Sequence, residues 1–137
     1  MRYLGLDLGS KTLGIAVSDS LGIIASHYDV IRHNEEYDVL LQKVKELVLE
    51  LKIDAVVLGF PKNMNNTIGP KGELSLEFQK KLEEILSIPV YLQDERLTTK
   101  TANDVLIEGN VSRRKRKQVV DSVAATIILQ TYLDRRD

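Results

Sequence analysis

The 137-residue chain carries 19 Lys and Arg against 20 Asp and Glu, so its net charge of −1 points to no class of partner; only the distribution of charge can. With 43% hydrophobic and 28% charged residues, it reads as one globular domain over residues 1–137, large enough to bury a core. The absence of cysteine excludes disulfides, thiolate metal sites and a cysteine nucleophile. No apolar run approaches the roughly 20 residues that cross a bilayer, and no basic-then-apolar leader precedes Asp7, so a cytoplasmic location with no membrane partner is expected.

Tyr3 to Leu8 alternates, with Leu4, Leu6 and Leu8 on one side and Tyr3, Gly5 and Asp7 on the other. Gly9-Ser10-Lys11-Thr12 reads as a turn, after which Leu13, Ile15 and Val17 alternate with Gly14, Ala16 and Ser18. The pattern predicts a β-hairpin with one greasy face and one face of small residues. Asp7 stands among those small residues near its strand end, where open space would suit a metal ion or a phosphate. A turn-initiating Asp before Gly9 accounts for it equally well. After a turn at Ser20-Leu21-Gly22, in which Asp19 acts as a cap, a third strand is expected from Ile23 to about Ile31.

Asn34 is a candidate N-cap. Beyond it Tyr37, Leu40, Leu41, Val44, Leu47, Val48 and Leu51 recur at intervals of three and four, which predicts an amphipathic helix ending near Lys52. Ala55 to Gly59 fits a strand buried on both faces of a parallel sheet. Phe60 to Glu73, rich in Pro, Asn, Gly and Lys, reads as a long loop of the kind that carries function. A helix from about Leu74 to Leu86, a strand from Val90 to Gln93, and a helix from Thr98 or Thr99 to Gly109 follow. Five consecutive basic residues, Arg113, Arg114, Lys115, Arg116 and Lys117, precede a last helix starting near Arg116 or Gln118, with Val120, Val123, Ala124, Ile127, Ile128 and Thr131 on one side. Three strands, then helix-strand, helix-strand and two helices predict an α/β layer fold with a mixed sheet.

If the first strand runs parallel to the Ala55 and Val90 strands, their C-terminal ends share one rim, where open α/β sheets bind ligands. Asp7, Phe60-Pro61-Lys62 and Asp94-Glu95 would all arrive there. Asp121 flanks the apolar stripe of the last helix beside Ala124 and Ala125, small residues that permit a close approach to the sheet. A position near the helix N-terminus, favoured by the macrodipole, is the other explanation for it. Clustered carboxylates repel unless protonated or bridged by cations. Such oxygen donors suit Mg²⁺ or Mn²⁺, and paired divalent ions can activate water for phosphodiester cleavage. Strand alternation turns Asp94 away from whichever face Glu95 occupies.

The segments GLDLGSKTLGIAVSD (5–19), GFP with its Asn-rich loop (59–66), DERLTT (94–99) and RKRKQVVDSVAATIILQTYL (114–133) resemble the YqgF family of RNase H-like proteins, described as pre-16S rRNA nucleases and earlier as Holliday junction resolvases. The resemblance spans nearly the whole chain in order. It implies a five-stranded mixed sheet with strand order 3-2-1-4-5, flanked by helices. It also implies a catalytic, metal-holding triad of Asp7, Glu95 and Asp121, Mg²⁺ or Mn²⁺ as cofactor, and a role in maturing the 5′ end of 16S rRNA. This chain has Thr12 where many members have Arg and Asn66 where many have Gly. It matches three acids where junction resolvases of the related fold usually carry four.

The run Arg113 to Lys117 reads as a phosphate-backbone contact or as a solvated charge run. Lys11, Lys62, Asn65 and Arg96 are further nucleic-acid contact candidates. His27 and His33 have no partner spacing for a metal and read as structural or exposed. Pre-rRNA is the favoured partner and branched DNA the alternative, bound by a monomer or a homodimer. A non-catalytic RNA- or transcription-complex-binding module with vestigial acids is a further reading. Actin-like and sugar-kinase folds share the Asp-then-Gly-rich hairpin, but they need a second domain to close over ATP.

Overall fold

The computed structural model describes residues 1–9, 11–61, 69–94 and 113–135, the last segment with side chains from residue 123 onward. In chain order these form β1 (Tyr3–Leu8), β2 (Thr12–Ser18), β3 (Ala25–Arg32), α1 (Tyr37–Glu50), β4 (Ala55–Phe60), α2 (Pro70–Ile85), β5 (Val90–Asp94) and α3 (Arg113–Arg135). The sheet order is β3-β2-β1-β4-β5. β1 pairs antiparallel with β2 and parallel with β4, β4 pairs parallel with β5, and β3 is an antiparallel edge. The order 3-2-1-4-5 and the shared rim of β1, β4 and β5 are therefore present as expected.

Alternation in β1 and β2 divides the core. Leu4, Leu6, Leu13 and Ile15 face α1 and α2, where they meet Leu40, Val44, Phe78 and Leu82. Tyr3 and Ala16, with Ala55 and Val57 of β4, face α3 through Ala125, Ile128 and Leu129. All six residues of β4 are buried, because helices cover both of its faces. Its β-branched run follows from that burial.

Several boundaries differ from the sequence expectation. α1 begins at Tyr37 after Glu36, with no side-chain cap, so Asn34 is not its N-cap. Glu35 occupies the left-handed region at φ 62°, which places a turn between Asn34 and the helix. α2 starts four residues before Leu74, at Pro70, whose fixed φ and missing N–H suit a first helical position. α3 starts at Arg113, so the basic run lies within the helix, where Arg and Lys have favourable propensity. Its buried stripe comprises Ala124, Ala125, Ile128, Leu129 and Leu133, displaced by about one residue from the stripe read in the sequence. The helix expected from Thr98 or Thr99 to Gly109 lies outside the described residues.

Candidate nucleic-acid-cleaving site at the sheet rim

Asp7 is the penultimate residue of the central strand and is half-buried. It pairs with Gly14 of β2. On its other side, Leu6 pairs with Leu58, which brings Gly59 level with Asp7, and Gly59 pairs with Gln93 of β5. The carboxylate thus stands in a row reading Gly14, Asp7, Gly59, Gln93, with glycine on both sides and neighbouring strands about 4.8 Å apart. Gly59 was not singled out in the sequence. Only the parallel register of β1 with β4 reveals that it flanks Asp7.

The small-residue face is not open along its whole length. A Cβ at Gly5 would lie 2.7 Å from Leu129 Cβ and 3.2 Å from the Ala125 carbonyl oxygen, so α3 rests directly on the β1 backbone there. The space over Gly5, one of the small residues beside Asp7, is filled by a helix. Ala125 allows the close approach anticipated for it, and Leu129 provides the nearest contact.

α3 runs opposite to β1. The Tyr3 ring lies 5.8 Å from that of Tyr132, while Gly5 lies under Leu129 and Ala125. Moving two residues from Gly5 to Asp7 advances about 6.7 Å along the strand, which corresponds to four or five residues on a helix rising 1.5 Å per residue. Counted back from Leu129 and from Ala125, the helix backbone at the level of Asp7 therefore lies between about positions 120 and 125. Because α3 begins at Arg113, position 121 is about two turns inside the helix. A helix-terminus dipole, which acts within the first turn, does not account for an aspartate there.

Asp94 closes β5 opposite Phe60 and shares that strand's α1/α2 side, the face away from Asp7. Gln93 occupies the Asp7 face and is buried, its Nε2 donating to the Asp94 carbonyl at 3.2 Å. Lys11 is exposed in the β1–β2 turn. Lys62, Asn65, Glu95 and Arg96 lie outside the described residues, as do the side chains of Asp121 and of Arg113, Arg114, Lys115, Arg116 and Lys117. Among the described residues no three His, Cys, Asp or Glu side chains gather to hold a metal. Asp7 contributes a hard oxygen donor, of the type that Mg²⁺ and Mn²⁺ accept.

Away from the rim, Asp19 is the turn cap expected of it. Its Oδ1 accepts the amides of Ile23 at 2.7 Å and Ile24 at 3.1 Å, and these bonds hold its carboxyl below the usual range. His33 is structural: one ring nitrogen meets the Gly9 carbonyl at 3.0 Å and the other accepts the Glu35 amide.

A sheet ordered 3-2-1-4-5, with helices on both faces and an aspartate near the end of its central strand, defines an RNase H-like fold. The solved structure of T. thermophilus RuvC in complex with a Holliday junction substrate shares it, with TM-score 0.61 at 16% identity over 100% of this chain and 98% of that one. The chain belongs to the RuvX family, described as Holliday junction resolvase, whose model matches residues 1–135. A relative from Bacillus subtilis (strain 168), named "Putative pre-16S rRNA nuclease", is 55% identical over 135 residues, 98% of each chain. Another of that name, from Geobacillus sp. (strain WCH70), is 53% identical over 137 residues, 99% of each.

Proposed function

We propose that the chain is a divalent-metal-dependent nuclease that hydrolyses phosphodiester bonds in RNA and processes the 5′ end of pre-16S rRNA in the cytoplasm. The observation that carries this is Asp7: a carboxylate flanked by two glycines, at the rim where three parallel strands end. The name shared by relatives over nearly the whole chain supports the substrate.

Asp7, Glu95 and Asp121 are the residues that would hold the metal. Glu95 follows directly on Asp94, the last residue of β5. The direction of α3, which runs from Leu129 over Gly5 toward its N-terminal half as β1 runs toward Asp7, supports Asp121 as a member of the set. Bound Mg²⁺ or Mn²⁺ supplies water activation and charge neutralisation at the phosphate. The chain's own part would be to hold the three carboxylates of Asp7, Glu95 and Asp121 in a fixed arrangement, and to admit the sugar-phosphate backbone over the glycine-flanked row. Lys11, Lys62, Asn65, Arg96 and the run Arg113 to Lys117 would meet the nucleic acid. The α3 direction supports this for the run, because a helix whose backbone between about positions 120 and 125 is level with Asp7 carries residues 113–117 beyond the rim.

A labelled RNA carrying the pre-16S 5′ leader, incubated with Mg²⁺ or Mn²⁺, tests the proposal. Wild-type protein is expected to cleave it and Asp7→Asn to leave it at background, with metal binding by calorimetry lost in the variant. Undiminished cleavage by Asp7→Asn removes the mechanism. The RuvX family description favours a second substrate, branched DNA. Cleavage of a four-way junction in preference to single-stranded RNA would select it. Metal binding without cleavage of any substrate would indicate a binding module.

A further inference from the structure

The face of the sheet that carries Asp7 also carries three tyrosines in mutual contact. The ring of Tyr3 on β1 meets that of Tyr132 on α3, with centroids 5.8 Å apart. Tyr132 also meets Tyr91 on β5, with centroids 5.6 Å apart and ring planes 16° from parallel. The contacts lead from the core to the surface: Tyr3 is 4% exposed, Tyr132 is half-buried and Tyr91 is 40% exposed.

Strand register places Tyr91 relative to the rim. Tyr91 pairs with Val57, which pairs with Gly5, while Gln93 stands in the row of Asp7. Tyr91 is therefore two strand spacings across and two residues back from Asp7, roughly 12 Å from it between backbones. Its contact with Tyr132 of α3 shows that it shares the Asp7 face.

An exposed ring whose plane is set by a near-parallel neighbour has the form of a stacking platform. Aromatic rings gain from offset stacking, and every nucleobase has a π-face to offer. Because Tyr132 orders the ring beforehand, a base that stacks on it loses little side-chain freedom to the contact. A cation accompanies the platform. Arg135 follows Tyr132 by three residues and so neighbours it on the surface of α3. It is exposed and makes no salt bridge among the described residues. The adjacent Asp134 is engaged by Gln130, whose Nε2 donates to its Oδ1 at 2.9 Å and to the Ile23 carbonyl, which draws that acid toward the β2–β3 connection. An aromatic face beside a cation matches the two parts of a nucleotide, base and phosphate.

We propose that Tyr91, backed by Tyr132, is a stacking platform for an unpaired base of a single-stranded RNA segment, with Arg135 meeting that strand's phosphate. The platform rests on the nuclease reading and deepens it. A base can lie flat on Tyr91 only when it is free of its own neighbours in a helix, so the substrate class is a single-stranded segment and not an intact duplex.

Binding is measured without divalent cations, so that no strand is cleaved, using a fluorescein-labelled single-stranded RNA and a duplex of the same sequence. Tyr91→Leu is expected to weaken single-strand binding about five- to a hundredfold, the range of one base–aromatic stack, and to leave duplex binding unchanged. Tyr91→Phe, which keeps the ring, is expected to bind as wild type does, with circular dichroism confirming that both variants fold. A 2-aminopurine base scanned along the single strand is expected to be quenched by wild type at one or more positions and not by Tyr91→Leu. Arg135→Gln is expected to flatten the slope of log K against log salt by about 0.7, the share of one phosphate. Equal single-strand affinity in wild type and Tyr91→Leu overturns the platform, as does an equal loss for single strand and duplex. Cleavage of the leader RNA is scored separately. Tyr91-dependent stacking without cleavage keeps the platform and removes the nuclease reading, whereas cleavage with no dependence of binding on Tyr91 does the reverse.

Discussion

Gly5 shows how one missing side chain sets the distance between two layers. A methyl group there meets Leu129 Cβ and the Ala125 carbonyl, neither of which is the free end of a flexible chain, so α3 or β1 must shift. Gly5→Ala is expected to destabilise the protein by about 1–3 kcal/mol in urea unfolding, as overpacking does. Adding Leu129→Ala should not rescue it, because the contact atom is the Cβ that alanine keeps. At Asp19 the carboxyl is held low first by the Ile23 amide, then by that of Ile24. A depressed folded-state pKa contributes stability above the ordinary carboxylate range, and that contribution is lost as pH falls through it. Asp19→Asn is therefore expected to lower the melting temperature at neutral pH, and the gap between the two proteins should narrow as pH falls below the ordinary aspartate range. A gap that persists unchanged in acid would mean that the charge of Asp19 contributes nothing.

Among the elements, α3 combines two demands. Its C-terminal half packs into the sheet and ties the β2–β3 connection through Gln130, which accepts the Ala25 amide at 2.8 Å and donates to the Ile23 carbonyl at 2.9 Å. Its first two turns carry five cations and no acid in the first turn. Positive charge in the first turns of a helix opposes the macrodipole, and the proposed contact with a phosphate backbone would offset that cost. If about four of these charges meet phosphates, the log of the binding constant for single-stranded RNA should fall with log salt at a slope near −3, and neutralising the run should flatten it. An unchanged slope would make the run a solvated surface. The β3 edge follows another rule. The pairing is irregular between Ile15 and Ala16, where Tyr28 is an extra residue, and the Asp29 carboxylate accepts the Val30 amide at 2.8 Å. Both devices blunt an edge strand against adding another chain.

For the whole molecule, the proposed site links metal binding to folding. If Asp7, Glu95 and Asp121 meet as proposed, they repel one another in the native state and separate in the unfolded chain. A cation that binds only the native arrangement therefore stabilises it, by about 2.7 kcal/mol at a concentration a hundredfold above Kd. For a domain of this size that is a rise in Tm on the order of 10 °C. Mg²⁺ or Mn²⁺ should raise Tm in wild type and have little effect on Asp7→Asn. Equal rises in both proteins would place the metal elsewhere.

How much of this was legible in the chain depended on the range of the interaction. Alternation marked β1 to its observed ends, and a continuous apolar run marked β4, because burial on one or both faces imposes those patterns locally. The family motifs pointed to the strand order, which the sheet bears out. Helix starts were less legible: α1 and α2 begin where turn geometry and Pro70 set them, and caps are single-residue signals that neighbouring chain overrides. Three features belong to tertiary structure alone. Gly59 flanks Asp7 only through the register of two strands some fifty residues apart in sequence. Leu129 covers Gly5 only because α3 crosses that face. His33 reaches Gly9 only because β3 returns beside β2. Local periodicity reports which face of an element is buried, but which residues of other elements meet that face is decided when the layers pack.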